Sequence, residues 1–117
     1  MPFQTKYIYS AAMDVESEKD ALFNEVYEKE YIPLLLKVPG VVAAARFKKH
    51  ELTLITDGVR RTFVVENEPS YNALYEIESP EVLLSDGWIN ASHQSRFAEH
   101  VRPFTKNRRQ VLYKKLA

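Results

Sequence analysis

Hydrophobic and polar positions alternate with two periods along this chain, and the change of period separates predicted strands from predicted helices. A period of two is typical of strands, whereas apolar spacings of three and four are typical of helices. On this basis, and for the apolar run at 41–47 on its length and its flanks Pro39-Gly40 and Lys48-Lys49, the sequence predicts six strands, at residues 6–13, 41–47, 52–55, 62–65, 71–77 and 109–116. The pair Asp57-Gly58 predicts a tight hairpin turn between the third and fourth strands.

Two helical regions separate these strands. The first spans residues 16–31, with Asp14 or Ser17 as its cap. Pro33 lacks a backbone N–H, so we expect a kink there before a short helical end at residues 34–36. The second begins at residues 79–81, pauses at 86–87 and resumes over 88–101, where Pro103 ends it.

The order of these elements predicts an α+β fold of the ferredoxin-like βαββαβ type, with an extra β-hairpin, in a single domain over residues 1–117. Two β-α-β units of this length favour a four-stranded antiparallel sheet with both helices on one face. The other face carries either the set Tyr7, Tyr9, Tyr71 and Tyr75 or their neighbours. Because exposed apolar patches of this size are rare, we expect a second copy of the chain to cover that face in a homodimer.

Composition narrows the class of protein. Sixteen basic and sixteen acidic residues cancel, so neither nucleic acid nor an anionic membrane is an expected partner. The chain has no cysteine, which excludes disulfides and thiolate metal sites. No signal-peptide pattern and no apolar run of about 20 residues is present, which predicts a cytoplasmic protein without a membrane span. Basic residues at 106–115 are expected to protect an edge strand.

Glu30 is the first candidate for chemistry. On a helical wheel it falls near the middle of an apolar arc that includes Leu22, Phe23 and Val26. A carboxylate there is costly to bury unless it is paired or protonated, so one interpretation is a general acid/base with a raised pKa. The other is that Glu30 pairs with an arginine, or that the kink at Pro33 turns it into solvent.

Arg46 interrupts an apolar strand and therefore needs an anionic partner. Glu30 is the expected partner, and the alternative is a ligand carboxylate or phenolate. Tyr27 and Tyr31, one helical turn apart, either orient a ligand or pack as core aromatics. Asn24 lies on the opposite side of the wheel and either binds a ligand or is solvated.

The second helix carries His93 and His100, which are seven residues apart and share an arc with Arg96. Two turns of helix separate the imidazoles by roughly 10 Å, so they cannot chelate one metal ion together. Either histidine then serves as a proton shuttle facing a pocket or as a buried structural residue. No motif for nucleotide, metal or nucleophilic-serine chemistry is present, so no cofactor or metal site is predicted.

The chain contains the segments LFNEVYEKEYIP at 22–33, VPG at 38–40, ARF at 45–47, YNALYEI at 71–77, SPEVL at 79–83 and VRPF at 101–104. Taken together, these segments resemble the EthD-like families of dimeric α+β barrels. Two positions depart from the family pattern, because Tyr31 stands where the pattern has histidine and Val26 where it has tryptophan.

The resemblance implies a ferredoxin-like protomer that pairs through its sheet and holds a pocket between sheet and helices. Similar proteins include cofactor-independent monooxygenases, isomerases, cyclases or dehydratases, and haem-degrading proteins. One hypothesis is therefore an enzyme acting on an aromatic or polyketide-like molecule. Its candidate catalytic residues are Glu30, Tyr31 and His93, and its candidate substrate-binding residues are Asn24, Tyr27, Arg46, Tyr75, Arg96 and His100. The alternative is a non-catalytic ligand-binding or accessory dimer that has lost the reactive histidine.

Overall fold

The alternating segments form strands that assemble into one antiparallel sheet and one separate hairpin, in a computed structural model that describes residues 3–117. The strands are β1 (Tyr7–Val15), β2 (Val41–Lys48), β3 (Leu52–Thr56), β4 (Val59–Phe63), β5 (Tyr71–Ile77) and β6 (Thr105–Lys114). The four-stranded sheet has the order β2-β5-β1-β6. The basic C-terminal run lies on β6, which is an edge strand as predicted.

The register of the sheet decides which residues face the helices. Tyr9 is opposite Tyr75, and Tyr75 is opposite Ala44 on β2. Tyr9 and Tyr75 both lie in or against the core beneath the helical layer. Of the two sets that the sequence left open, the tyrosines are therefore on the covered face. Their neighbours lie on the uncovered face.

The first helical region is continuous but changes its hydrogen-bonding pattern three times. A 3₁₀ turn (Ser17–Lys19) leads into α1 (Asp20–Val26), a π turn (Tyr27–Tyr31) follows, and α2 (Ile32–Leu36) ends the region. Pro33 is the second residue of α2, directly after the π turn. The change of register at the π turn is thus immediately upstream of the expected kink.

The second helical region is not one helix over residues 88–101, and that prediction is wrong. A 3₁₀ turn (Pro80–Leu84) precedes α3 (Asp86–Gln94), which is capped by the Ser85 hydroxyl accepting from the Trp88 N–H at 3.2 Å. Ser95 then has an extended backbone with ψ 171°. Its hydroxyl accepts from the Phe97 N–H at 3.1 Å, which helps to start a π turn at Phe97–Val101. His93 and His100 therefore do not share one helix face.

The predicted hairpin is confirmed. Asp57 and Gly58 have φ values of 52° and 77°, and Thr56 pairs directly with Val59. Two positive φ values in a two-residue loop define a type I′ turn, which matches the twist of the flanking strands. The strand β4 begins three residues earlier than predicted because the turn has only these two residues.

The core lies between the sheet and the helical layer. Its fully buried side chains are Phe23, Val26, Leu35, Tyr75, Ile77, Phe97 and Val101. Among residues 3–117, no helix is both long and apolar enough to cross a membrane.

Candidate functional site

A cavity of about 320 Å³ lies between the sheet and the helical layer. Its lining comes from β1, β5, β6, α3 and both π turns. The lining residues are Tyr9, Ala11, Met13, Tyr27, Tyr31, Tyr75, Trp88, Ser92, Phe97, Arg102, Arg108 and Gln110. The volume is at the lower end of the range for small-molecule pockets.

Aromatic rings form two walls of this cavity. On the sheet side, Tyr9 and Tyr75 stack with ring centroids 5.8 Å apart, and the edge of Trp88 meets both rings. On the helix side, Tyr31 stacks on Phe97 at 4.4 Å, and Tyr27 contacts the same pair edge-on. Flat, rigid walls of this kind favour a planar ring system over a flexible chain.

The π turns are the reason that the helix-side rings meet. Tyr27 and Tyr31 begin and end the first π turn, and Phe97 begins the second. All three side chains are buried. π turns inserted into α-helices occur frequently at functional sites, and here each one supplies aromatic rings to the same cavity.

Within residues 3–117, two buried polar atoms of lining residues have no hydrogen-bond partner: the Tyr75 hydroxyl and the Arg102 Nε. Tyr75 is only 1 % exposed. A buried polar atom without a partner carries a free-energy cost. By contrast, the Tyr9 hydroxyl accepts a hydrogen bond from Gln110 Nε2 at 2.9 Å.

Burial keeps the phenols of this cavity protonated. Desolvation raises the pKa of Tyr27 and of Tyr75 well above the ordinary value. It also raises the pKa of Tyr9 and of Tyr31, although Gln110 and Arg108 partly offset the effect at Tyr9, and Arg102 does so at Tyr31. At neutral pH these hydroxyls are therefore hydrogen-bond donors.

The charged side chains that line the cavity are all basic. Arg102 and Arg108 are cationic, and none of the twelve lining side chains is acidic. The Arg102 guanidinium also lies 5.2 Å from the centroid of the Phe97 ring. Phenol and guanidinium donors without a competing carboxylate suit a ligand with an anionic or electron-rich oxygen.

Glu30 lies outside this cavity, which corrects two expectations. Its carboxylate is 2.7 Å from the Arg96 guanidinium and accepts from the Arg96 N–H at 3.1 Å, so Arg96 and not Arg46 is its partner. These bonds hold the pKa of Glu30 below its ordinary value rather than above it. The reason is the π turn, which rotates Glu30 off the apolar stripe while Tyr27 and Tyr31 turn inward.

Arg46 and Asn24 form a separate cluster on the other side of Tyr27. Arg46 donates to Asn24 Oδ1 at 2.8 Å and to Glu28 Oε1 at 3.3 Å, and its guanidinium lies 4.7 Å from the centroid of the Tyr27 ring. A shallow depression of about 380 Å³ borders this cluster. Arg46 thus finds its anionic partner in Glu28, on the exposed side of the first helical region.

The histidines and Arg96 do not reach the cavity. His93, His100 and Arg96 are exposed and are not among its lining residues. The enzyme hypothesis names Glu30 and His93 as catalytic residues, and neither lines this cavity. Within residues 3–117, no group of three histidine, cysteine or acidic side chains is placed to hold a metal ion.

Of the sequence-predicted residues, the structure brings Tyr27, Tyr31 and Tyr75 together. Sequence reasoning missed Tyr9, Trp88, Arg102 and Arg108 as site residues. For Arg108 the signal was available, since the period of two on β6 places it on the same face as Gln110. For Trp88 and Arg102 there was no local signal, because both lie where the second helical region changes its pattern.

Comparison with known proteins decides the fold. No family model matches the sequence. No curated protein matches it either. An EthD family protein from Bacillus halodurans superposes with a TM-score of 0.59 at 12 % identity, over 94 % of this chain and 99 % of its own. The fold is that of the ferredoxin-like α+β barrels.

Two solved structures of MhuD agree with this fold. A manganese protoporphyrin IX complex of an MhuD variant gives a TM-score of 0.57 at 14 % identity, over 95 % of both chains. The haem-degrader MhuD from Mycobacterium tuberculosis, with two haems in its active site, gives 0.55 at 14 % identity, over 95 % of this chain and 96 % of its own. The likeness supports the EthD-like resemblance at the level of the fold.

Proposed function

We propose that this chain is a homodimeric α+β barrel protein that binds a small planar aromatic molecule in the cavity between sheet and helices. The observation that carries the proposal is the Tyr75 hydroxyl, which is buried at the cavity without a hydrogen-bond partner. A ligand oxygen within hydrogen-bond distance of the Tyr75 hydroxyl or of the Arg102 Nε would satisfy that free donor. The stacked rings would cover the faces of the ligand.

The binding function is favoured over acid/base catalysis by Glu30. Arg96 keeps that carboxylate ionised and hydrogen-bonded outside the cavity. Tyr31 stands in the cavity wall where the family pattern has histidine, and burial raises the pKa of its phenol. A phenol with a raised pKa is a poor general base at neutral pH.

One structural neighbour binds haem and another binds manganese protoporphyrin IX, but the cavity fits such a ligand poorly. The lining contains neither histidine nor cysteine. Tyrosine serves as an axial haem ligand in some proteins, as a phenolate. Burial raises the pKa of all four cavity tyrosines, so an iron that bound one of them would have to displace its phenol proton. We therefore assign the cavity to an organic ring system and not to a porphyrin iron.

The dimer in this proposal forms through the uncovered sheet face. That face includes Val111 and Tyr113 on β6 and Phe47 on β2, which are 39 %, 56 % and 52 % exposed. Sheet-to-sheet packing would bury these side chains against their copies and close a barrel.

A second candidate is catalysis without a cofactor, in which Tyr75 and Arg102 stabilise an enolate or phenolate oxygen. The unpaired, neutral Tyr75 hydroxyl favours it, since a preorganised donor in a water-poor site is an effective oxyanion partner. In this candidate the proton is removed by a basic group of the substrate or by water, since Glu30 is held elsewhere.

The test uses Trp88, which is the single tryptophan of the chain and lines the cavity. Titration with 2-naphthoate, 2-naphthol and naphthalene is expected to quench its fluorescence, with the tightest binding for the carboxylate. Arg102→Met should weaken the binding of 2-naphthoate and leave the binding of naphthalene unchanged. Arg61→Met on the exposed hairpin should change the binding of neither ligand. No saturable quenching by any of the three, checked by calorimetry, would refute the binding function.

A separate measurement decides between binding and catalysis. The α-hydrogens of 2-tetralone exchange with D₂O through an enolate, and the exchange is followed by proton NMR. Acceleration by the wild-type protein that Tyr75→Phe reduces at least tenfold supports the catalytic candidate. Binding of 2-tetralone without acceleration supports a binding protein alone.

A further inference from the structure

The β3–β4 hairpin, here called the arm, is an ordered element that packs extensively on no other element within residues 3–117. All ten residues of β3 and β4 are exposed. A two-stranded hairpin by itself is only marginally stable in water and needs a third strand or a packed face.

One face of the arm is predominantly apolar. The register pairs Leu52 with Phe63, Leu54 with Arg61 and Thr56 with Val59, and these side chains project to the same side. Leu52, Leu54, Val59 and Phe63 are 42–50 % exposed there. The opposite side carries the hydrogen-bonded pair Thr53 and Thr62, with Ile55 opposite Arg60.

The base of the arm is fixed to the sheet. Lys49 Nζ donates to the carbonyls of Val65 and Glu68 at 2.8 and 2.7 Å. From β6, Asn107 and Arg109 donate to the carbonyl of Asn67 at 3.2 and 3.0 Å. These bonds brace the segment that follows the arm, so the arm leaves the sheet from an anchored base.

The isolated chain exposes more surface than a compact monomer of its mass. The accessible surface is 7853 Å², whereas a monomer of 13.6 kDa exposes about 6,600 Å². The radius of gyration is 16.0 Å, against about 13 Å for a compact domain of this length. The excess of roughly 1,300 Å² exceeds the ~800 Å² that each partner contributes to a standard interface.

We propose that the arm packs its apolar face on a second copy of this chain, so that two copies exchange arms about a two-fold axis. The proposal rests on the sheet-face dimer proposed above and adds a second contact to it. A second copy fits because the arm follows directly after β2, whose Phe47 lies on the uncovered face, and because the excess area matches a large dimer interface. In an isologous pair, the arm of each copy then packs on the other copy.

The chain has no cysteine, so a single introduced cysteine can be labelled cleanly. Leu54→Cys and Ile55→Cys are adjacent apolar positions on opposite faces of the arm and form a matched pair. Each full-length variant is labelled with benzophenone maleimide, mixed as ¹⁴N and ¹⁵N forms and irradiated. We expect cross-links between isotopically different chains at position 54 to exceed those at position 55 at least fivefold. Equal yields, or none, overturn the proposal.

Sedimentation equilibrium gives an independent readout. Leu54→Glu should raise the dimer dissociation constant at least tenfold, while Ile55→Glu should change it less than threefold. Val111→Glu tests the sheet face separately. If Val111→Glu dissociates the dimer and Leu54→Glu does not, the arm proposal fails and the proposed sheet-face dimer stands.

Discussion

Among single residues, Tyr75 combines deep burial with a hydroxyl that has no partner. Its ring is stacked on Tyr9 and meets the edge of Trp88, so the side chain cannot rotate its hydroxyl toward solvent without losing both contacts. The hydroxyl therefore costs stability in the ligand-free protein. That cost is what a bound ligand oxygen would relieve.

Tyr75→Phe should stabilise the ligand-free protein by about 1 kcal/mol, because it removes an unsatisfied buried hydroxyl while keeping the ring. The same change should weaken 2-naphthoate binding roughly three- to tenfold. Urea unfolding and Trp88 fluorescence measure the two effects. Tyr9→Phe is the control, since its hydroxyl is bonded to Gln110 and its loss should bring no gain in stability. A destabilised Tyr75→Phe protein would show that the hydroxyl has a partner.

Arg46 shows how a single charged residue is accommodated beside the core. Its side chain is 15 % exposed, and it lies over the Tyr27 ring while Asn24 and Glu28 accept its hydrogen bonds. The sequence correctly indicated that this arginine needs an anionic partner. The sequence instead predicts Glu30 as that partner, because the helical wheel places Glu30 on the apolar arc. In the structure Arg46 pairs with Glu28, and Glu30 pairs with Arg96.

At the scale of elements, the two π turns decide the shape of the site. Each adds a residue to a helical turn and shifts the angular positions of the side chains that follow. In the first, Tyr27 and Tyr31 face inward and Glu30 faces Arg96. In the second, Phe97 enters the cavity while His100 faces solvent.

The pair of Glu30 and Arg96 links these two π-turn regions and should give a pH-dependent contribution to stability. The pKa of Glu30 is lowered in the folded state, so the contribution is present above the unfolded pKa of about 4.3 and is lost as pH falls through the folded pKa. Glu30→Gln should lower the urea midpoint of unfolding at pH 7. The difference in midpoint between wild type and variant should disappear at acidic pH.

The control for this pair is Glu51→Gln, at an exposed position outside the helical layer, which should show no comparable difference. Added salt should shrink the effect of Glu30→Gln, because the pair is partly exposed. A difference that instead develops between pH 6 and 8 would indicate a raised pKa and would restore Glu30 as an acid/base candidate.

At the scale of the whole molecule, the described chain is flat and has two solvent-exposed apolar surfaces, the uncovered sheet face and the arm. Its principal extents are 51 × 41 × 19 Å, which correspond to one sheet and one helical layer with the arm extended. A two-layer domain normally buries the apolar face of its sheet. The uncovered face and the arm are therefore the parts of the fold that a second copy would complete.

Val111→Glu, at the centre of β6 on the uncovered face, should convert the proposed dimer to a monomer in sedimentation experiments. A buried, unpaired carboxylate between two sheets is strongly unfavourable. Leu84→Glu is the matched control, because Leu84 is 76 % exposed in the helical layer and the change should leave the mass unaltered. A wild-type chain that sediments as a monomer at micromolar concentration would contradict the dimer outright.

The sequence by itself determined the secondary structure that depends only on neighbouring residues. The period of two placed the strands, and Asp57-Gly58 specified the type I′ turn because few other residue pairs tolerate two positive φ values. The order of strands and helices then limited the sheet to one topology, which the structure has. The EthD-like motifs pointed to the same fold.

Tertiary structure alone decided the cavity and its chemistry. Tyr9, Tyr75, Trp88 and Arg102 come from four distant segments, and no local pattern reports that they meet. A helical wheel assumes 100° per residue, so it placed Glu30 on the apolar stripe and could not foresee a π turn that rotates it toward Arg96. Local periodicity fixes which residues become strand or helix. Which side chains meet depends on the angular register and on distances across the fold, and these exist only once the layers have packed.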